Sequence, residues 1–162
     1  MIFAAMNTNN LEIERKFLVL DDSYKQHATE SHHLVQGYLS KQPGRTLRVR
    51  IYDDKAYVTI KVRDMNTAFT RHEWEYQIPM DDAKQMLALS VTAPIVKTRW
   101  IIPATSEDKE TRLVWEVDEF EGRLAGLKLA EIELSREDQP FDKAAFIGEE
   151  VTGDPRYYNA NM

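Results

Sequence analysis

The chain has no cysteine, which excludes disulfides, thiolate metal sites and thiol nucleophiles together. No apolar run approaches the roughly 18 residues that a membrane-spanning helix needs. Neither a Walker phosphate loop nor a glycine-rich dinucleotide fingerprint occurs, so any phosphate ligand is not held in a conventional nucleotide fold. The opening Met1-Ile2-Phe3-Ala4-Ala5-Met6 lacks a basic region and is too short for a signal peptide. A cytoplasmic location is therefore expected, with the first ten residues flexible and Met6 a candidate natural start. A net charge of -6 argues against a general nucleic-acid binder held by a positive overall field. It does not exclude a local basic pocket, because low-dielectric walls focus field in a way the sum conceals. The histidines His27, His32, His33 and His72 fall at no metal-binding spacing.

What remains is a chain of 162 residues, 43% hydrophobic and 30% charged, long enough for one domain with a single sizeable core, 1–162. Its organising stretch is Leu11–Leu20. Read as a strand, it puts Glu12, Glu14 and Lys16 on one face and Leu11, Ile13, Phe17 and Val19 on the other.

The same alternation recurs along the chain. Asp21–Glu30 reads as a short helix or loop and His33–Ser40, containing Gln36-Gly37-Tyr38-Leu39, as a strand. After the turn Lys41-Gln42-Pro43-Gly44, Thr46–Tyr52 sets Arg48 and Arg50 on one face, and Ala56–Val62 follows through the turn Asp53-Asp54-Lys55 with Lys61 on its polar face. Arg71–Ile78 turns Glu73 and Glu75 away from Trp74 and Tyr76. Asp81–Leu89 is the one good helix, with acids in its first turn. Ile95–Ile102 pairs Lys97 with Arg99, and Arg112–Asp118 sets Arg112, Glu116 and Asp118 on one face. Between them Pro103–Glu110 reads as a mobile loop. Leu127–Leu134 repeats the acidic doublet as Glu131 and Glu133; a brief helix over Asp142–Phe146 and an irregular tail over 148–158 complete the expected elements.

An ordinary solvent face mixes charges, but here like charges stand two apart again and again, which is mildly destabilising without a ligand. About eight strands with few helices point to an antiparallel barrel that curls its charged face inwards. Seven cations (Lys16, Arg48, Arg50, Lys61, Lys97, Arg99, Arg112) would then lie near the carboxylates, in a cavity that must be wet and mutually paired or ligand-bound. A polyphosphate with a divalent metal suits it: arginines fork onto phosphate oxygens, lysines add point charge, and carboxylates hold the metal. The apolar outer face could be covered by helices, the tail or the second subunit of a homodimer.

Glu12-Ile13-Glu14-Arg15-Lys16-Phe17 resembles the N-terminal Glu-x-Glu-x-Lys signature of the CYTH domains, or triphosphate tunnel metalloenzymes, and the later doublets follow in that family's order over residues 11 to 158. The resemblance implies a mainly β fold, an eight-stranded antiparallel closed barrel with a few short helices outside. It also implies a triphosphate-containing small-molecule substrate and Mg²⁺ or Mn²⁺, with no nucleic acid or membrane partner. By that likeness Glu12, Glu14 and Glu133 hold the principal metal, with Glu131, Glu116 and Asp118 nearby as further ligands or in the layer just behind them, and Glu73 and Glu75 form a supporting acidic pair. Lys16, Arg48, Arg50, Lys61, Arg99, Arg112 and Arg156 grip phosphates; Lys97, with Tyr38, positions or activates the attacking water. The compact length resembles the bacterial inorganic tripolyphosphatases, which makes hydrolysis the expected reaction. The alternatives are ATP cyclisation of the class IV adenylate cyclase type, thiamine triphosphate hydrolysis, and a non-catalytic polyphosphate-binding module, against which the full set of carboxylates argues.

Overall fold

A computed structural model describes residues 10–67, 70–107 and 112–162. The expectations about Met6 and the opening residues fall on 1–9, and part of the loop expected to be mobile falls on 108–110; both lie outside the described residues.

Among the described residues nine strands form one antiparallel sheet: β1 (Leu11–Val19), β2 (Glu30–Gln42), β3 (Arg45–Tyr52), β4 (Lys55–Arg63), β5 (Thr70–Ile78), β6 (Ile95–Pro103), β7 (Val114–Phe120), β8 (Lys128–Leu134) and β9 (Ile147–Glu150). Their order is β5-β4-β3-β2-β6-β7-β8-β1-β9, and β1 also pairs with β5. The second pairing shuts the sheet into an eight-stranded barrel. Leu11–Ile13 of β1 meet His72–Thr70 of β5, and further along the same edge Phe17 and Val19 meet Glu150 and Ile147 of β9. The tail expected to be irregular thus begins as a strand, because β1 outruns β5 and leaves backbone donors and acceptors that need partners.

The barrel is polar inside and apolar outside. Its largest core lies on the outer face of β1, β6, β7 and β8, where Phe17, Trp115, Val117, Ala130 and Ile132 are completely buried. Tyr24, in the 3-10 turn Ser23–Gln26, and Phe146 close over them. Phe17 and Trp115 meet edge-on with ring centroids 5.5 Å apart, and each such side chain contributes roughly 2–3 kcal/mol by leaving water. Covering this core also explains why no helix forms over 142–146. Phe146 must point inwards, while the flanking backbone is tied to neighbours by Asp142 N–H to Thr105 O at 2.9 Å and Leu20 N–H to Phe146 O at 2.9 Å.

The helix α1 (Met80–Leu87) covers β3 and β4, burying Ala83 against Val49 and Ala56. It starts after Pro79 and carries Asp81 and Asp82 in its first turn, where acids suit the positive end of the helix dipole. The chain leaving it crosses β2 so closely that a β-carbon on Gly37 would stand 2.0 Å from Ser90 Oγ. That contact is why the Gln36–Leu39 stretch needs a glycine. It lets Val91 N–H reach Tyr38 O at 2.9 Å. A third apolar cluster, with Tyr38, Phe120 and Leu129 from the wall and Tyr157, Ala160 and Met162 from the tail, closes one end of the barrel.

Candidate active site: a charged tunnel

Strand alternation and closure together bring the interior side chains into one cavity of about 400 Å³, lined by nine basic and seven acidic residues. Most of these charges satisfy one another. Lys61 Nζ lies 2.8 and 2.9 Å from the two oxygens of Glu12 and 3.0 Å from Glu73. Arg48 donates to Thr59 Oγ1 at 3.1 Å and to Glu75 at 3.4 Å, and Thr59 in turn donates to Glu75 at 2.7 Å. The expected supporting pair, Glu73 and Glu75, therefore serves to hold two cations in place. Lys16 Nζ stands 3.0 Å from Glu131, which these and other cations hold well below the usual carboxylate range against the opposing effect of burial.

Asp118 stands behind the residues that line the tunnel. It is 1% exposed, and it accepts both a fork from Arg99, at 2.7 and 2.9 Å, and a bond from Lys97 Nζ at 2.5 Å. Burial alone would raise it, but Arg99 and Lys97 overcome that and hold it at about 2. Asp118 thus anchors two of the tunnel's cations, with both its oxygens engaged. Arg99 also pairs with Glu116, which does line the tunnel.

Among the described residues, groups of both signs remain without close compensation. Glu14 on β1 and Glu133 on β8 face each other in register. Burial, then neighbouring carboxylates, push each up to about 7; the nearest cation to Glu14 is Lys16 at 3.9 Å. Opposite in kind is Arg50, whose Nε and Nη2 donate, among the described residues, only to the neutral amide oxygen of Gln36, at 2.9 and 2.8 Å. Burial, then Arg48 and Arg99, pull it down to about 10.

Lys97 is 1% exposed and sits at the closed end of the tunnel, where Asn159 Oδ1 accepts from it at 3.0 Å. Burial lowers it to about 7 even though Asp118 is beside it. Tyr38 lines the same cavity.

Two expected phosphate ligands are elsewhere. Arg112 precedes β7 and is exposed, because β7 begins at Val114 and the strand face does not extend back to it. Arg156 is also exposed and turns back onto Asp154 at 2.6 Å. Neither lines the tunnel. Conversely, Arg45, Arg63 and Arg71 line it, as do Tyr158 and Asn159 of the tail. Parity alone could have found Arg71 and Arg63, since each continues the inward face of its strand two residues beyond Glu73 or Lys61.

Hard oxygen donors in a wet cavity fit a divalent cation, and the facing Glu14 and Glu133 are the pair most in need of one. Among the described residues no three acidic or imidazole groups converge at ligating geometry. Glu12 is held by Lys61, so it would have to turn from that lysine to share an ion with Glu14.

The sequence matches the CYTH domain family over residues 10–158. The chain belongs to that family. An inorganic triphosphatase of Acetivibrio thermocellus is 41% identical over 152 residues, which are 93% of this chain and 92% of the relative. A second, from Nitrosomonas europaea, is 32% identical over 151 residues, 91% of this chain and 93% of the relative. The crystal structure of an inorganic triphosphatase superposes with a TM-score of 0.61 at 31% identity, covering 98% of this chain and 95% of that one. This CYTH domain has the expected closed eight-stranded antiparallel barrel, to which it adds the short β9; among the described residues it has one α-helix.

Proposed function

We infer that this CYTH domain is a metal-dependent triphosphatase, hydrolysing inorganic tripolyphosphate with Mg²⁺ or Mn²⁺. One observation carries the reading: the tunnel holds unspent negative charge at Glu14 and Glu133 and unspent positive charge at Arg50. A polyanion alone would relieve Arg50 and worsen the carboxylates; a cation alone would do the reverse. A metal-bound polyphosphate relieves both. The two triphosphatase relatives, aligned over almost the whole chain, support the same substrate class.

Glu14 and Glu133, joined by Glu12, would hold the ion, with Glu131 and Glu116 close by. When bound, it neutralises phosphate charge and polarises the phosphorus centre. The chain's own groups do the rest. Arg50, Arg48, Lys61, Lys16 and Arg99 align the phosphates along the tunnel, and phosphoryl transfer depends mainly on such alignment and charge neutralisation. Lys97, drawn down to about 7, can accept or hold a proton near neutral pH and is the candidate for orienting the attacking water together with Tyr38.

Purified protein given tripolyphosphate and Mg²⁺ or Mn²⁺ should release orthophosphate, and none without metal. Binding without turnover would instead mark a receptor. ATP with Mn²⁺, followed by chromatography, separates hydrolysis to ADP from cyclisation to cyclic AMP.

A further inference from the structure

The tunnel carries a second group of cations that the clamp described above does not use. Arg63 of β4 and Arg71 of β5 are register partners, so two guanidinium side chains project from directly opposed positions on the same face. Their β-carbons lie roughly 5 Å apart, a spacing at which like charges repel. The next two inward-facing pairs along these strands set no like charges together: Lys61 faces Glu73, and Thr59 faces Glu75. Among the described residues neither Arg63 nor Arg71 has an acidic group within ion-pair distance or a side-chain hydrogen bond, yet both line the cavity.

Arg71 also has an aromatic neighbour. Its guanidinium carbon lies 5.0 Å from the ring centroid of Tyr158, within cation–π range. On its other side Arg71 is the register partner of Glu12 on β1; burial lowers its pKa, but Glu14 and Glu12 outweigh that and raise it, so its charge also serves the acidic end of the tunnel. Arg63 has no such role, and its position next to Arg71 is otherwise unfavourable. An anion between the two would turn that repulsion into a bidentate grip.

We propose that Arg63 and Arg71 form a separate phosphate subsite at the tunnel rim, next to the clamp of Arg48, Arg50, Lys61 and Arg99. This rests on the triphosphatase reading. The group it takes is a phosphate dianion, either the end of a bound tripolyphosphate or free orthophosphate held as it leaves.

The variants Arg63→Gln, Arg71→Gln and Arg71→Lys are compared with Arg123→Gln, which removes one charge from an exposed arginine bonded to Ala93 O, away from the tunnel. Three quantities are read: calorimetric Kd for tripolyphosphate without divalent ion, KM and kcat for its hydrolysis, and the inhibition constant of orthophosphate. If the subsite takes the chain end, Arg63→Gln and Arg71→Gln raise Kd and KM about tenfold with kcat within twofold, and Arg71→Lys recovers part of the loss. If it takes released phosphate, the inhibition constant rises about tenfold and KM does not move. Kd, KM and inhibition constant all unchanged in both Gln variants, or shifted equally by Arg123→Gln, would overturn the subsite. A wild-type protein that binds tripolyphosphate without hydrolysing it defeats the triphosphatase reading instead, and the Kd comparison still decides the subsite.

Discussion

Glu14 on β1 stands directly opposite Glu133 on β8, and burial together with surrounding carboxylates raises both to about 7. Each carboxyl therefore binds its proton more tightly in the folded protein than at the ordinary 4.5. Between those values the folded state holds more protons than the unfolded chain, so this pair costs stability as pH rises from about 4.5 to 7.

A divalent ion bound only by the folded state should reverse that loss. Millimolar Mg²⁺ is expected to raise Tm by about 5–10 °C at pH 8 and much less at pH 5, where the ion must compete with protons. Equal shifts at both pH values, measured by differential scanning calorimetry, would count against the pair as the ion's seat.

Changing Glu14→Gln should abolish metal-dependent turnover, while Arg50→Ala should chiefly weaken substrate binding. Arg50 makes no ion pair with a carboxylate among the described residues, so its loss removes a charged hydrogen bond to phosphate worth about 1.5–3 kcal/mol, or a roughly 10- to 150-fold rise in KM. Steady-state kinetics on tripolyphosphate separate the two effects. Unchanged constants in both variants would undo the site assignment.

Lys97→Ala should lower kcat by at least about 100-fold, and Lys97→Arg should not restore it. Arginine keeps the charge beside Asp118 but does not give up a proton near neutral pH. Full activity in the arginine variant would reduce Lys97 to a charge holder.

Asp118→Ala should destabilise the fold by about 3–5 kcal/mol, because it leaves Lys97 and Arg99 buried without their shared partner. Denaturant titration measures it. In contrast, Arg112→Ala and Arg156→Ala should leave kcat/KM within twofold, since neither side chain lines the tunnel.

Gly37→Ala should also cost stability, about 1–3 kcal/mol, through the collision of its β-carbon with Ser90 Oγ. Ser90 is a single small side chain on the chain leaving α1, so Ser90→Gly in the same protein should recover much of that loss. Failure of the second change to rescue the first would place the strain elsewhere.

Much of the tunnel was legible from the order of residues, because a strand has a period of two and each doublet declares its own face. Glu12 with Glu14, Arg48 with Arg50 and Glu131 with Glu133 all point inwards as the alternation requires. Arg112 went astray where that rule was carried beyond the strand's start, and Arg156 where it was replaced by a guess about the tail. The helix expected over Asp142–Phe146 failed because Phe146 is needed over Trp115, a demand made by residues far away in sequence.

The linear sequence by itself determined which charges share a face, since that follows from local backbone geometry. Only the tertiary structure decided which of those charges neutralise one another. Closure of β1 on β5 and the pairing of β1 with β8 set Lys61 against Glu12 and Glu14 against Glu133, and the packing of β6 on β7 locked Asp118 beneath Lys97 and Arg99. Coulomb energies depend on separation in space and on exclusion of water, neither of which a strand pattern contains.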